Sequence, residues 1–134
     1  MNEVKWKYAK PLKSEDIIHE FEKTYNYDFP DDYIKHIVKY NNGRPDINSF
    51  SLKKEEYKIK KLLSFDKKAK DNIWQINEWC KSIPNNKYII FAICNNGNYI
   101  CFYKPDDSIK YINKNTLKVE DITSGFDEFL DSIH

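Results

Sequence analysis

The chain has 134 residues and a net charge of +1, and 40% of its residues are hydrophobic. This length suits a single domain over residues 1–134 with a core of its own, and the apolar fraction excludes a disordered chain. The near-zero charge excludes a strongly basic nucleic-acid binder, and the longest apolar run, Tyr88 to Cys94, is too short to span a membrane. We expect a cytoplasmic protein, which the odd number of cysteines also favours.

The first third of the chain predicts two helices. Ser14 is a suitable N-cap for a helix over residues 14–25, whose isoleucine and aromatic residues recur on one side. Pro30 presets φ for the start of a second helix over residues 31–41. Gly43 can adopt the left-handed conformation that ends this helix. Two helices joined so closely should pack against each other.

The middle of the chain predicts two strands, over residues 49–52 and 57–63, followed by a third helix over residues 71–82. Pro84 ends that helix because proline cannot continue it. Lysines alternate along the second strand, which gives it one solvated face.

The clearest strands are residues 88–94 and 99–103, joined by Asn96-Gly97, a strong hairpin signal. A two-residue turn there places Cys94 opposite Tyr99. One predicted face must be core and carries Ile89, Phe91, Ile93, Ile100 and Phe102. The other is amphipathic, need not be fully covered, and carries Tyr88, Ile90, Ala92, Cys94, Tyr99, Cys101 and Tyr103.

Two further strands, over residues 108–112 and 117–122, precede a C-terminal helix capped by Thr123 or Ser124. This order predicts an α+β fold with a mainly antiparallel central sheet of about five or six strands flanked by about four helices.

No catalytic or metal-binding motif is visible, so we expect no enzyme, no cofactor and no metal site. The three glycines are too scattered for a phosphate loop, and the cysteines form no CxxC pair. The three histidines, His19, His36 and His134, have no partner at ligand spacing. Cys94 and Cys101 should share one sheet face, where a metal or disulfide is conceivable, but we interpret them as small apolar packing residues.

The charges are unevenly distributed along the chain. Residues 53–70 hold eight lysines and three acids, whereas residues 106–134 hold seven acids and three lysines. We interpret the basic stretch as a solvated face and the acidic stretch as a docking surface for a basic partner.

Three motifs carry a family resemblance. A helix precedes the helix start Pro30-Asp31-Asp32-Tyr33 and the helix end Asn41-Asn42-Gly43-Arg44-Pro45. A strand pair then surrounds Asn96-Gly97-Asn98, and Ser124-Gly125-Phe126-Asp127-Glu128-Phe129-Leu130 begins the last helix. In this order the motifs resemble the SUKH superfamily, the Smi/Knr-like domains.

The resemblance implies helices packed around a mostly antiparallel sheet, and a role in protein recognition. Bacterial members resemble immunity proteins that bind a cognate toxin of a polymorphic or contact-dependent system, often a basic nuclease domain, and block it. Eukaryotic relatives resemble regulatory scaffolds tied to cell-wall synthesis. Neither role needs catalysis, and neither implies direct contact with nucleic acid or membrane.

Acidic clustering and the uncovered sheet face together predict where a partner would bind. The predicted partner contacts are Tyr99, Tyr103, Asp106, Asp107, Glu120 and Asp121. Exposed aromatic side chains supply buried contact area at an interface, and acidic side chains speed the capture of a basic partner.

Overall fold

The computed structural model describes residues 3–83 and 86–134. In this part of the chain there are four helices and eight strands. The helices are α1 (Asp16–Tyr25), α2 (Asp31–Tyr40), α3 (Ile73–Cys80) and α4 (Phe126–Ser132). The strands are β1 (Trp6–Lys7), β2 (Arg44–Pro45), β3 (Ser49–Leu52), β4 (Glu55–Leu62), β5 (Tyr88–Cys94), β6 (Tyr99–Tyr103), β7 (Ser108–Ile112) and β8 (Val119–Thr123).

The strands confirm the predicted α+β fold. Strands β3 to β8 form one antiparallel sheet in chain order, while β1 and β2 form a separate two-stranded sheet. The strand β1 was not predicted, because two residues are too few to show a period. Among the described residues, no helix is long and apolar enough to cross a bilayer. The predicted helix stop at Pro84 lies outside the described residues.

The end of α2 differs from the prediction in which residue is left-handed. Asn42 adopts that conformation, with φ of 68°, and Gly43 does not. Asparagine tolerates this region better than most residues. Gly43 is needed for space instead, because a Cβ there would lie 2.7 Å from the carbonyl oxygen of Tyr40 and 3.2 Å from Cβ of Trp6.

The C-terminal helix begins without a side-chain cap from either predicted residue. Gly125 occupies the N-cap position, and the Thr123 hydroxyl donates to the Gly125 carbonyl, 2.9 Å away. The carboxylate of Asp32 on α2 accepts a hydrogen bond from the backbone N–H of Asp127, 3.1 Å away. Asp32, at the start of α2, therefore accepts a hydrogen bond from one of the free backbone N–H groups in the first turn of α4.

The strands of the β5–β6 hairpin are confirmed, but the predicted register is wrong. Cys94 does not face Tyr99; Ile93 does, and Ala92 faces Ile100. The Cys94 N–H donates to the carbonyl of Asn98, 2.8 Å away, so the loop has three residues and not two. A bulge between Ile90 and Ala92 leaves a further β5 residue, Phe91, unpaired, so residues 88–90 return to their predicted face.

This register changes which side chains share a face. Directly paired residues point to the same side of a sheet, so Ile93 lies with Tyr99 and Ala92 lies with Ile100. Cys94 follows Ile93 and therefore lies on the face opposite Tyr99 and Cys101. The expectation that Cys94 and Cys101 share one face is wrong. In the described structure all three cysteines are buried and free.

The two faces of the sheet are covered by different helices. On one face, the Tyr33 ring of α2 lies 5.8 Å from Phe91, 5.2 Å from Phe102 and 5.3 Å from Phe126 of α4. On the other face, α3 covers β5 and places the Trp79 ring 5.4 Å from that of Tyr99. The main core thus lies between the sheet and helices α2 and α4.

The sheet curls until its two edges approach each other. Lys53, between β3 and β4, lies 3.4 Å from Glu120 of β8, and the rings of Tyr57 and Tyr111 are 4.9 Å apart. Register shifts in the β4–β5, β5–β6 and β7–β8 pairings bend the strands and permit this curl. His134 joins the edge strand at Ser49 through two backbone hydrogen bonds of 2.9 and 3.0 Å.

Candidate partner-binding surface

Helix α3 covers part of the second face of the sheet, including Tyr99, but among the described residues it leaves the ends of β5 and β6 at Tyr88 and Tyr103 more accessible. We call the surface formed by Tyr88, Tyr103, Lys110 and Asp121 the open face. Tyr88 and Tyr103 are direct partners on β5 and β6, and their rings lie 5.5 Å apart with an interplanar angle of 36°. Both side chains are half-buried. The pair offers aromatic area whose position is already fixed by the ladder.

Lys110 and Asp121 extend this face across β7 and β8. The ammonium of Lys110 lies 2.5 Å from the Asp121 carboxylate and 5.1 Å from the centroid of the Tyr103 ring. The hydrogen bond to Asp121 raises the pKa of Lys110. Because the Lys110 side chain is 17% exposed and that of Asp121 is 85% exposed, the acid presents its charge outward and the lysine does not.

Two more acids stand beside the open face. Asp106 lies in the turn after β6, and its carboxylate accepts a hydrogen bond from the Ser108 N–H, 3.0 Å away. Hydrogen bonding from Ser108 lowers the pKa of Asp106, so the group is negative at neutral pH. Asp106, Lys110, Asp121 and Glu128 line one cavity of about 340 Å³. These three acids outnumber the single lysine, so the region has a net negative charge.

The structure separates the six predicted contact residues. Tyr103, Asp106 and Asp121 come together at the open face. The expectation that Tyr99 is an exposed aromatic residue is wrong: it is 6% exposed because Trp79 of α3 packs over it. Asp107 points elsewhere and accepts a hydrogen bond from the Tyr27 hydroxyl, 2.7 Å away.

Glu120 is also outside the open face, because neighbouring residues of β8 point to opposite sides of the sheet. The roles of Asp107 and Glu120 in binding stay predictions. Sequence reasoning placed Tyr88 on the right face but did not select it, and it did not select Lys110 or Glu128. The predicted shared face of Tyr88 and Tyr103 was the available signal for Tyr88. The pairing of Lys110 with Asp121 follows from the bulged register of β7 and β8.

Neither a metal-binding cluster nor an activated thiol is found among the described residues. Within residues 3–83 and 86–134, no group of three His, Cys, Asp or Glu side chains is placed to hold a metal ion. Burial raises the pKa of the Cys80 thiol to about 11 and that of Cys94 to about 12. These thiols are therefore protonated at neutral pH and poor nucleophiles.

Comparison with protein families shows what the chain is similar to. The model of a family described as SMI1 / KNR4 (SUKH-1) matches residues 12–132. No curated protein matches the chain.

Proposed function

The chain belongs to the SMI1 / KNR4 family (SUKH-1), and on that premise we propose that it is an immunity protein. It binds a cognate toxin in the cytoplasm and blocks it by covering the toxin's functional surface. The partner is a protein with a basic surface, such as a nuclease domain. Binding needs no cofactor and no chemistry by this chain.

The composition of the open face is the observation that carries the proposal. Tyr88 and Tyr103 supply half-buried aromatic area at its centre, and Asp106 and Asp121 supply negative charge at its margin. Binding hot spots are enriched in tyrosine and gain energy when a partner desolvates them. Acidic groups at the margin speed the encounter with a basic partner and make it sensitive to salt.

The pre-organised geometry also supports this role. The tyrosine pair and Lys110 are held by the strand ladder and by Asp121, so few side chains need to be ordered when a partner binds. A smaller ordering cost leaves more of the interaction energy for affinity. The regulatory-scaffold role of the family would use the same surface on a host protein, and the test below separates the two.

The test is co-expression with the reading frames adjacent to the gene, scored for toxicity, for rescue of growth and for a stable complex. We expect one frame to be toxic alone and harmless together with this chain. Toxicity rescued without a complex, or no toxic frame at all, contradicts the immunity role. A stable complex with a non-toxic host protein would instead support the scaffold role.

Variants then test the surface. Asp121→Lys and Tyr103→Ala should each weaken the complex by about tenfold or more, which corresponds to about 1.4 kcal/mol. The matched control is Asp16→Lys, an equal change of charge in the first turn of α1. Asp16 lies at the opposite end of α1 from Tyr25, whose carbonyl accepts a hydrogen bond from Lys104 beside the β6–β7 turn. Equal affinity for Asp121→Lys and Asp16→Lys would show that the partner binds elsewhere.

A further inference from the structure

A cavity of about 270 Å³ opens where the curled sheet brings β4 close to β7 and β8. Its walls include Tyr57, Asn96, Asn98, Tyr111, Lys118 and Glu120. The mouth of a closed or nearly closed sheet is a common place for a small-molecule site. This cavity is distinct from the open face, because Glu120 and Asp121 point to opposite sides of β8.

The Tyr111 hydroxyl is the central polar group of this cavity. Its oxygen accepts hydrogen bonds from the side-chain amides of Asn96, 3.0 Å away, and Asn98, 2.7 Å away. A hydroxyl has two acceptor lone pairs and one proton, so both lone pairs are used and the proton is left to donate. No acceptor for that proton is found among the described residues, although Tyr111 is only 5% exposed.

The two asparagines are themselves held in place. The side-chain oxygen of Asn96 accepts from the N–H of Asn98, and that of Asn98 accepts from the N–H of Lys114, each at 3.0 Å. Each amide nitrogen donates one hydrogen to Tyr111 and keeps a second. The cavity therefore offers a Tyr111 O–H and two amide N–H groups in fixed positions.

The remaining walls add an aromatic surface and charged side chains. The ring of Tyr57 lies 4.9 Å from that of Tyr111 at 40°, and its hydroxyl donates to Glu55, 3.0 Å away. Lys118 contributes a positive charge, and Glu120 contributes a carboxylate that also lies 3.4 Å from Lys53. Glu120 supplies a charged hydrogen-bond acceptor beside the lone pairs of the Tyr57 hydroxyl.

We propose that this cavity binds one neutral pyranose ring, either a free monosaccharide or the terminal unit of a glycan. Sugar hydroxyls both donate and accept hydrogen bonds, which matches the fixed donors and the single carboxylate. The apolar C–H face of a pyranose packs against an aromatic ring such as that of Tyr57. The volume lies below the usual range for drug-sized ligands, which limits the ligand to about one ring.

The experiment is a titration of the full chain with neutral monosaccharides, followed by ¹H–¹⁵N correlation spectra. Glucose, galactose, mannose and N-acetylglucosamine are tested alone and as the end unit of short oligosaccharides. We expect saturable shifts of the side-chain amides of Asn96 and Asn98 for at least one sugar, with a Kd on the order of 1 mM. Tighter binding of the oligosaccharide identifies a glycan end, and equal binding identifies the free sugar.

Two variants and one control make the result specific. Tyr111→Phe keeps the ring and removes the proton donor, and Glu120→Gln removes the charged acceptor, so each should weaken binding by about tenfold. Tyr8→Phe is the control, because Tyr8 is 73% exposed and lies in the N-terminal segment. The spectra report folding of each variant directly. Absence of saturable shifts for every sugar, or unchanged affinity in both variants, overturns the proposal.

This proposal does not rest on toxin binding. Asp121→Lys should leave sugar binding unchanged, and Tyr111→Phe should leave the toxin complex unchanged. Failure of one proposal is thereby distinguishable from failure of the other.

Discussion

The side-chain amide of Asn77 forms two hydrogen bonds with the backbone of Ile90, each 2.9 Å long. Strand β4 separates from β5 after Leu63, whose N–H donates to the Phe91 carbonyl, 2.9 Å away. The side chain of Asn77, which is 1% exposed, forms the hydrogen bonds with β5 that a neighbouring strand would form at this point. The same amide nitrogen also donates to the Ile73 carbonyl, 2.8 Å away, so one side chain connects α3 to the bulged strand.

The first prediction follows from this contact. Asn77→Ala leaves the N–H and the carbonyl of Ile90 buried without their partner, which should lower the free energy of unfolding by about 2–4 kcal/mol. Urea denaturation of the full chain measures the change. Gln75→Ala is the control on the same helix, because Gln75 is exposed, and it should stay within about 0.5 kcal/mol of the wild type. Alanine is the better helix former, so helix propensity cannot explain a loss, and a similar loss in both variants would show that the Ile90 contact is not its source.

The second prediction concerns the crowded end of α2. In Gly43→Ala the new methyl group must move the Tyr40 carbonyl or the Trp6 side chain, since it would lie 2.7 and 3.2 Å from them. We expect a loss of about 1–3 kcal/mol in the free energy of unfolding. Gly125→Ala meets no atom within 4 Å and should change stability by less than about 1 kcal/mol. Equal stability of the two variants in urea denaturation would contradict the steric explanation.

The sequence predicted elements well where the signal is local. Pro30 and the following acids marked the start of α2, and the apolar runs around Asn96-Gly97 marked β5 and β6. The prediction was wrong where the strand register depends on the exact length of a loop. The three-residue turn moves Ala92, Ile93 and Cys94, which lie between the bulge and the turn, to the face opposite the predicted one, which is why Cys94 and Tyr99 were paired wrongly.

The sequence also predicted only part of the candidate site. Clustering of acids along the chain selected Asp106 and Asp121, which line the same cavity beside the open face. It also grouped Asp121 with Glu120, although adjacent strand residues point to opposite faces. Tyr99 was expected to be exposed because nothing in the sequence shows that Trp79 of α3 packs over it. Coverage of a sheet by a distant helix is a tertiary property that local patterns do not carry.

The third prediction compares two buried tyrosine hydroxyls. The Tyr33 hydroxyl has no hydrogen-bond partner in the part of the chain that the structure describes, and the residue is fully buried. Tyr33→Phe removes this unsatisfied group and should raise the free energy of unfolding by up to about 1 kcal/mol. Tyr27→Phe removes the 2.7 Å hydrogen bond to Asp107 and should lower it by about 1–2 kcal/mol. Thermal or urea unfolding distinguishes the opposite signs, and a loss of stability in Tyr33→Phe would contradict the assignment.

The fourth prediction is a pH dependence that originates at His36. Its ring lies 4.8 Å from Trp6, 4.8 Å from Tyr40 and 5.5 Å from Phe126, and burial lowers its pKa from 6.5 to about 4. In the unfolded chain the ordinary pKa of histidine applies, so on acidification the unfolded state takes up a proton before the folded state does. Stability from neutral His36 is therefore complete above about pH 6.5 and is lost as the pH falls toward 4.

The size of this effect can be measured against a variant that keeps the packing. Between pH 7 and pH 5 the titration of His36 should cost about 2 kcal/mol of unfolding free energy. His36→Phe preserves an aromatic ring beside Trp6 and Phe126 but cannot be protonated. The other ionisable groups are the same in both proteins, so urea denaturation at pH 7, 6 and 5 isolates the histidine. The variant should lose about 2 kcal/mol less than the wild type over this interval, and identical pH profiles would show that His36 is charged at no cost in the folded protein.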